Sequence, residues 1–366
     1  MQHEILIRRT FELAKKGSGQ VSPNPLVGAV IVRNGEIISE GYHARFGDLH
    51  AEVSAIRKSG LDTFEDCTIY VNLEPCSHYG KTPPCTDLLI EKKFSRVVCA
   101  VEDPNPMVSG SGIAKLRDAG IEVISGICEN EARFLNRYFF VNQTEKRAYS
   151  VLKVAQSIDG CIALQNGESK WITGEESRKY THLLRSHIDA VMVGKRTVMK
   201  DNPELNTRLV NGRNPLRIAL DTNLTLPLDL KILKNEDRVN TIVVCSVNSA
   251  TSRKADILRL AGVRVISAII DDNGRLDIYD VLVKLYNQYS IGSVLVEGGS
   301  MVHSYMAKND IIDEINVFIA PIIMGNCKKS FFDINLNSIA DAKRFKIKEI
   351  NTFGEDVHIL MIKELV

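Results

Sequence analysis

CTIYVNLEPCSHYGKTPPCTDLLIEKKFSRVVCAV, residues 67–101, decides the fold. CTIYVNLEPC reads as a strand running into a loop, CTDLLIEKK as a helix and RVVCAV as a second strand. The pattern extends in both directions. Upstream, HAEVSAIRKSG (50–60) reads as a helix with a glycine stop, and LVGAVIV (26–32) as a strand turning at Asn34-Gly35. Residues 4–17 have helical spacing, with an apolar face through Ile5, Leu6, Ile7, Phe11 and Leu13 that ends at SPNP. Downstream come a helix, SGIAKLRDAG, and a strand, IEVISG. Strand and helix alternate, as in a layered α/β domain.

The alternation breaks in a polar stretch at 141–150 (VNQTEKRAYS) and then restarts. A chain of 366 residues has the length of about two domains, and the break sets them at 1–146 and 147–366. The second half reads as strand YSVLKVAQS, helix EESRKYTHLLRSH, strand DAVMVG and a long polar loop over 200–214. Strands follow at LRIALD, TIVVCS, VRVIS, SVLVEGG and EINVFIAP, with helices near 252–261 and 278–289, and two strands close the chain around a Gly turn.

Net charge is +1, with −2 in residues 1–146 and +3 in the remainder. No clustered basic run is present, which argues against a nucleic-acid binder. No apolar run is long enough for a membrane span and no secretory h-region opens the chain, so a reducing cytoplasm is expected. Eight cysteines are too sparse for a disulfide scaffold.

His50-Ala51-Glu52 opens a helix, Cys76 follows Glu74-Pro75 at a strand end, and Cys85 opens the next helix. One imidazole and two thiolates suit zinc, and three protein ligands leave the fourth position of a catalytic site open for water. Glu52 is placed to take that water's proton and pass it to a leaving amine. His-x-Glu with Pro-Cys-x-x-Cys is the pattern of zinc nucleobase deaminases. Here eight residues separate the cysteines instead of two. A closed structural site would recruit His78; His43 reads as surface or pocket lining.

HAE with EPCSHYGKTPPC, together with SPNPLVGAV (22–30) and DPNP (103–106), resembles the deaminase domain of the bifunctional riboflavin-biosynthesis pyrimidine deaminase/reductases. The resemblance implies a cytidine-deaminase-like three-layer α/β domain with Asn24 lining the substrate pocket. The second half lacks Gly-x-Gly-x-x-Gly. VEGGS (296–300), a strand-to-helix turn suited to a phosphate, LKVAQSIDGCIA, GESKWIT and VMKDNPELNTR resemble the same family's reductase half.

That half is similar to dihydrofolate reductase, a mostly parallel sheet binding NADPH across its C-terminal edge. By resemblance, Ala155, Trp171, Thr197, Asp201, Thr222, Gly298 and Gly299 meet the cofactor, and Ser169, Arg185, Leu205, Arg208 and Glu297 meet the substrate. Arg185 and Arg208 suit a ribosyl phosphate, and Lys153 and Asp159 lie where they would orient the ring. The implied function is zinc-dependent deamination of a pyrimidine nucleotide, then NADPH reduction of its ribosyl group, in a homo-oligomer (dimer or tetramer). A tRNA-editing deaminase and a zinc-stapled binding module are the rival readings.

Overall fold

The computed structural model describes residues 2–79, 83–106, 108–234, 236–332 and 334–363; Gly80, Lys81 and Thr82 of the family-like loop lie outside these. The chain divides into two compact units, Met1–Lys146 and Arg147–Val366.

The first unit is a five-stranded sheet in the order β2-β1-β3-β4-β5. Its strands are β1 (Gly28–Arg33), β2 (Glu36–Tyr42), β3 (Cys67–Val71), β4 (Arg96–Cys99) and β5 (Glu122–Ser125). β1 runs antiparallel to β2 and β3, and β3, β4 and β5 are parallel. Asn34 and Gly35 both have positive φ, the conformation of a tight hairpin turn. The helices are α1 (Gln2–Lys15), α2 (Ala51–Ser59), α3 (Cys85–Glu91), α4 (Ser111–Asp118), α5 (Glu129–Leu135) and α6 (Arg137–Glu145).

Side-chain alternation sorts the two faces. Ala29, Ile31, Ile69 and Val97 pack with Ala55, Leu89 and Leu116 of α2, α3 and α4. Val30, Val32, Tyr70 and Val98 pack with Ile7, Phe11, Ala132 and Phe140 of α1, α5 and α6. This is the three-layer sandwich. Ile5, expected on the inner face of α1, points outward, because the buried stripe is Leu6, Ile7, Thr10, Phe11, Leu13 and Ala14.

The second unit is built on a nine-stranded sheet, β11-β10-β9-β8-β12-β6-β13-β16-β15. Its strands are β6 (Tyr149–Ser157), β8 (Ala190–Gly194), β9 (Leu216–Leu220), β10 (Thr241–Ser246), β11 (Arg264–Ala268), β12 (Ser293–Gly298), β13 (Glu314–Ala320), β15 (Lys346–Phe353) and β16 (Asp356–Ile362). A separate ladder joins β7 (Cys161–Leu164) to β14 (Cys327–Lys329). From β11 to β13 the strands are parallel, and β16 and β15 close one edge antiparallel. The helices are α7 (Glu175–His187), α8 (Lys195–Asp201), α9 (Lys231–Lys234), α10 (Arg253–Leu260), α11 (Ile278–Tyr289) and α12 (Ser300–Lys308). Leu152, Met192, Ile218, Val244 and Val296 pack on Val281, Leu285 and Met306 of α11 and α12. α7 covers the opposite face, with Tyr180 against Phe318.

β8 follows β6 in the chain, yet β12 lies between them. Crevices at the carboxyl ends of strands around such a reversal are where open α/β sheets bind ligands. Three features differ from the sequence reading. The polar loop over 200–214 is preceded by a helix, α8; β7 and β14 form their own ladder; and Cys161 and Cys327 form a disulfide with Cα atoms 5.7 Å apart. Partners separated by 166 positions leave no spacing signal, so sparse cysteines did not exclude one bridge.

Candidate active sites

In the first unit, two helix starts aim at one point. His50 is the residue before α2, and Cys85 opens α3. His50 Nδ1 lies 3.3 Å from Cys85 Sγ and 3.6 Å from Cys76 Sγ, and the Cys85 backbone N–H donates to Cys76 Sγ at 3.2 Å. All three donor atoms lie within 4.8 Å of one another, the one such group among the described residues. Ligands about 2.1–2.3 Å from a tetrahedral zinc sit about 3.4–3.8 Å apart, so the set fits that ion. His78 is exposed and outside the group, so the closed four-ligand arrangement is not formed by it.

The donors polarise one another. A hydrogen bond from Cys85, aided by His50, draws the Cys76 thiol down to about 4. The same hydrogen bond, with burial, pushes Cys85 up, and Cys76 raises His50 to about 9. Glu52, in the first turn of α2, is buried; burial and then the neighbouring Cys76 charge raise its carboxyl, making it a ready proton holder.

His43 is buried beside this group, its ring centroid 5.9 Å from that of His50. Its Nδ1 lies 3.0 Å from the Leu49 carbonyl, which only accepts, so Nδ1 carries the proton. Nε2 then accepts from Asn24 Nδ2 at 3.1 Å. These bonds tie Asn24, through His43, to the backbone just before His50.

Sequence reasoning missed the work of Glu74. Its buried carboxylate accepts from the backbone N–H groups of Asp103, Gly110, Gly112 and Ile113 at 2.8–3.1 Å. It thereby ties the 103–113 segment to the Cys76 loop. Gly112 allows the approach: a Cβ there would lie 2.3 Å from the Pro75 carbonyl oxygen. An acid between an apolar strand and a proline was the available signal.

In the second unit, Arg185 grips Glu297 at both oxygens, with N–O distances of 2.5 and 2.7 Å. Both side chains are nearly buried. Arg185 also donates to the Asn206 carbonyl at 2.9 Å, and exposed Arg208 donates to the Asn206 side chain at 3.2 Å. Leu205, buried with φ +54°, completes this turn. Arg185, Leu205, Arg208 and Glu297 therefore belong to one group. The Arg185 fork is already engaged by Glu297, which leaves Arg208 as the freer of the two guanidiniums.

Burial pulls the Lys153 ammonium down while Glu297 opposes it. Burial works to raise Glu297, but Arg185 and Lys153 prevail and hold it low. His182, one turn before Arg185 on α7 and absent from the sequence reading, is lowered to about 4 by burial and by the charges of Arg185 and Arg208. Its i,i+3 spacing from Arg185 was the available clue.

Gly298 and Gly299 form a second group with Thr197, at the adjoining ends of β12 and β8. A Cβ on Gly298 would lie 3.0 Å from the Thr197 methyl, and Gly299 has φ +87°. Only glycine leaves that turn open to a ligand's backbone contact. Ala155 lies opposite Phe318 in the β6–β13 register. Trp171 is exposed, with the Arg178 guanidinium 4.5 Å from its ring centroid. Among the described residues, no hydrogen bond or ion pair ties the side chains of Ser169, Asp201 or Thr222 to either group. Asp159 does not face the Lys153 group: its carboxylate accepts from the backbone of Met324 and Gly325.

A three-donor site with a buried carboxylate on a three-layer sandwich, followed by a glycine cradle at the reversal of a parallel sheet, defines a two-part enzyme, a zinc-type deaminase joined to a nucleotide-dependent reductase. Two family models match: the cytidine and deoxycytidylate deaminase zinc-binding region over residues 1–101, and the RibD C-terminal domain over 148–359. The riboflavin biosynthesis protein RibD of Aquifex aeolicus is 43% identical over 354 residues, 96% of each chain. That of Escherichia coli is 36% identical, spanning 99% of this chain and 100% of its own.

The Acinetobacter baumannii RibD structure superposes with TM-score 0.88 at 36% identity, covering 99% and 98% of the two chains. A Thermotoga maritima diaminohydroxyphosphoribosylaminopyrimidine deaminase/5-amino-6-(5-phosphoribosylamino)uracil reductase gives 0.85 at 39%, with the same coverage. This chain belongs to the RibD family, the bifunctional deaminase/reductases of riboflavin biosynthesis. It is a hydrolase in one half and an oxidoreductase in the other, with zinc and NADPH as cofactors.

Proposed function

We propose that the first unit deaminates 2,5-diamino-6-ribosylamino-4(3H)-pyrimidinone 5′-phosphate and that the second reduces the ribosyl group of the product to ribityl. The observation that carries this reading is the His50–Cys76–Cys85 donor set with Glu52 buried beside it. His50, Cys76 and Cys85 would hold zinc, which when bound would supply an acidified water near neutral pH. Glu52 takes the proton of the attacking water at its carboxylate and returns it to the departing amine, so ammonia leaves. Asn24, held by His43, orients the pyrimidine.

In the second unit, Gly298, Gly299 and Thr197 would hold the dinucleotide at its phosphates, and Ala155, Trp171, Asp201 and Thr222 would be its further contacts. NADPH supplies the hydride. Lys153, Arg185, Glu297 and Arg208 surround the ribosyl phosphate end, with Ser169 and Leu205 shaping the pocket. Arg208 meets the phosphate, while the Arg185–Glu297 pair sets the position of Lys153.

The units correspond to a deaminase domain, 1–146, and a reductase domain, 147–366. We place the enzyme in the cytoplasm as a homo-oligomer; the exposed Ile347 and Ile350 of edge strand β15 support self-association. No helix of the described residues is long and apolar enough to cross a membrane.

The test follows ammonia release and NADPH absorbance together on zinc-replete protein. Ammonia first, then NADPH oxidation, is the expected order. Glu52→Gln should abolish ammonia release and leave reduction of the deaminated substrate intact. Survival of both activities would refute the assignment of Glu52.

A further inference from the structure

The parallel strands β6 and β13 end together, Ser157 opposite Ala320, at the carboxyl edge that also carries Gly298 at the end of β12. Both chains run on past that edge and pair again as β7 and β14, a ladder of four residues against three. A two-stranded ladder this short has little stability of its own. Other ties hold it. The Asp159 carboxylate accepts from the backbone N–H groups of Met324 and Gly325, Gln165 Nε2 donates to Asn326 Oδ1 at 3.1 Å, and Lys200 of α8 donates to the Gly167 carbonyl. The strongest tie is covalent, the Cys161–Cys327 bridge. β7 leads directly to Ser169 and Trp171, which the reductase reading gives to substrate and cofactor. The bridge therefore anchors a flap that carries two residues of the proposed reductase site.

Six of the eight cysteines are thiols, so the bridge is an exception within this chain. Its two sulfurs differ. Cys161 is fully buried and Cys327 is half-buried, so a small thiolate reaches Cys327 first. The Lys329 ammonium lies 3.8 Å from Cys161 Sγ and also donates to the Asp159 carbonyl, which keeps it there. Two further ammoniums, of Lys200 and Lys328, would lie 3.0 and 3.7 Å from a Cβ on Gly167 of the same flap. Positive surroundings stabilise a thiolate and make it the better leaving group. In a reducing compartment a bridge that can be reached in this way serves exchange more often than permanence.

We propose that Cys161 and Cys327 are a site of reversible thiol–disulfide exchange, opened by thiols and closed by disulfides, that releases or fixes the flap of the reductase half. The switch presupposes the reductase reading of the second unit and a reducing compartment. A thiolate attacks Cys327 Sγ, the S–S bond breaks, and its electron pair leaves on Cys161 Sγ beside Lys329. A second thiol of the reductant then displaces Cys327, so two electrons and two protons pass to the protein and the reductant is left as a disulfide. Closure is the same exchange in reverse, with a small disulfide as the oxidant. The bridged chain holds Ser169 and Trp171 in place, and the reduced chain leaves them on a ladder that opens.

The test is a titration of the zinc-replete full chain in mixtures of reduced and oxidised glutathione, from strongly reducing to strongly oxidising. Alkylation under denaturing conditions should count eight thiols at the reducing end and six at the oxidising end. Trp171 is the only tryptophan, so its emission reports the flap without cofactor or substrate. Emission, and hydrogen exchange over residues 161–168, should follow the same curve as the bridge. In the reduced chain KM for NADPH and for the deaminated substrate should rise several-fold, while ammonia release, the control on Cys76 and Cys85, stays constant. The Cys161→Ser/Cys327→Ser double variant should behave as the reduced chain in every mixture; the wild-type titration decides the matter even if that variant folds poorly. A bridge that persists at the reducing end, or never closes at the oxidising end, overturns the switch. So does an opened bridge that leaves emission, exchange and KM unmoved. Absence of NADPH oxidation in both states, with emission still following the bridge, strikes the reductase reading and leaves the switch standing.

Discussion

The two sites of this chain are built on opposite plans. The proposed deaminase site gathers its metal donors and carboxylate from residues 50–85, at the starts of two helices and in the loop after β3. The proposed reductase site draws Lys153 from β6, Arg185 from α7, Arg208 from a loop and Glu297 from β12. Soft donors and a buried acid make the first, and a network of full charges makes the second. A donor set of rare residue types advertises itself; a network of common charges does not.

The sharpest break between the plans is metal removal. Stripping zinc with a chelator should abolish ammonia release and leave NADPH oxidation of the deaminated substrate unchanged. Parallel loss of both activities would mean that the sites are not independent.

Next in size is Arg185→Ala. It takes from buried Glu297 its only ion-pair partner among the described residues and leaves Lys153 as the nearest countercharge, a change that costs up to about 3–5 kcal/mol. The loss should appear by hydrogen exchange in the second unit only, with reductase kcat reduced and ammonia release retained. Destabilisation below about 1 kcal/mol would show that solvent screens the pair.

A milder effect is expected on the other side. Glu74→Gln weakens up to four charge-assisted hydrogen bonds and should cost about 1–3 kcal/mol in the first unit. Ammonia release should fall with it through misplacement of the Cys76 loop, and zinc affinity measured by competition should drop. Unchanged zinc affinity would separate Glu74 from the metal site.

The smallest effect per residue is in pH. His182, His303 and His358 are buried in the second unit and lowered to about 4, against about 6.5 in an unfolded chain. Their contribution is fully present above pH 6.5 and is lost as pH falls toward 4, because only the unfolded chain binds the protons. Between pH 7.5 and 5.5 each of the three should cost the second unit about 1 kcal/mol in denaturant titrations. His303→Gln should flatten part of that slope. The metal-free first unit, where His43 is shifted down and His50 up, should show a flatter profile.

The same contrast sets what could be read from the sequence. Strand β6 and helix α7 match the sequence reading to the residue, because apolar patterning and the Gly174 cap before α7 are local signals. His50, Cys76 and Cys85 were legible because few roles need those types in that order. That Arg185 and Glu297 belong to one group was signalled only by family resemblance, since they are 112 positions apart and each alone looks like a surface charge. α8 escaped because its LysArgThrValMetLysAsp run buries Val198 alone and so has no periodic face. The four backbone donors on Glu74 come from a loop some thirty residues away, and backbone groups carry no sequence signature.

The insertion of β12 between β6 and β8 also dictates an order of events on the ribosome. The first unit is complete at residue 146, and its three donors have emerged by residue 85. β6 and β8 then emerge, but the strand that joins them, and that carries Glu297 and the glycine turn, ends only at residue 298. Until then both strands present open edges. A nascent chain therefore passes through a stage, more than a hundred residues long, in which it can already hold its metal but has no place for its dinucleotide.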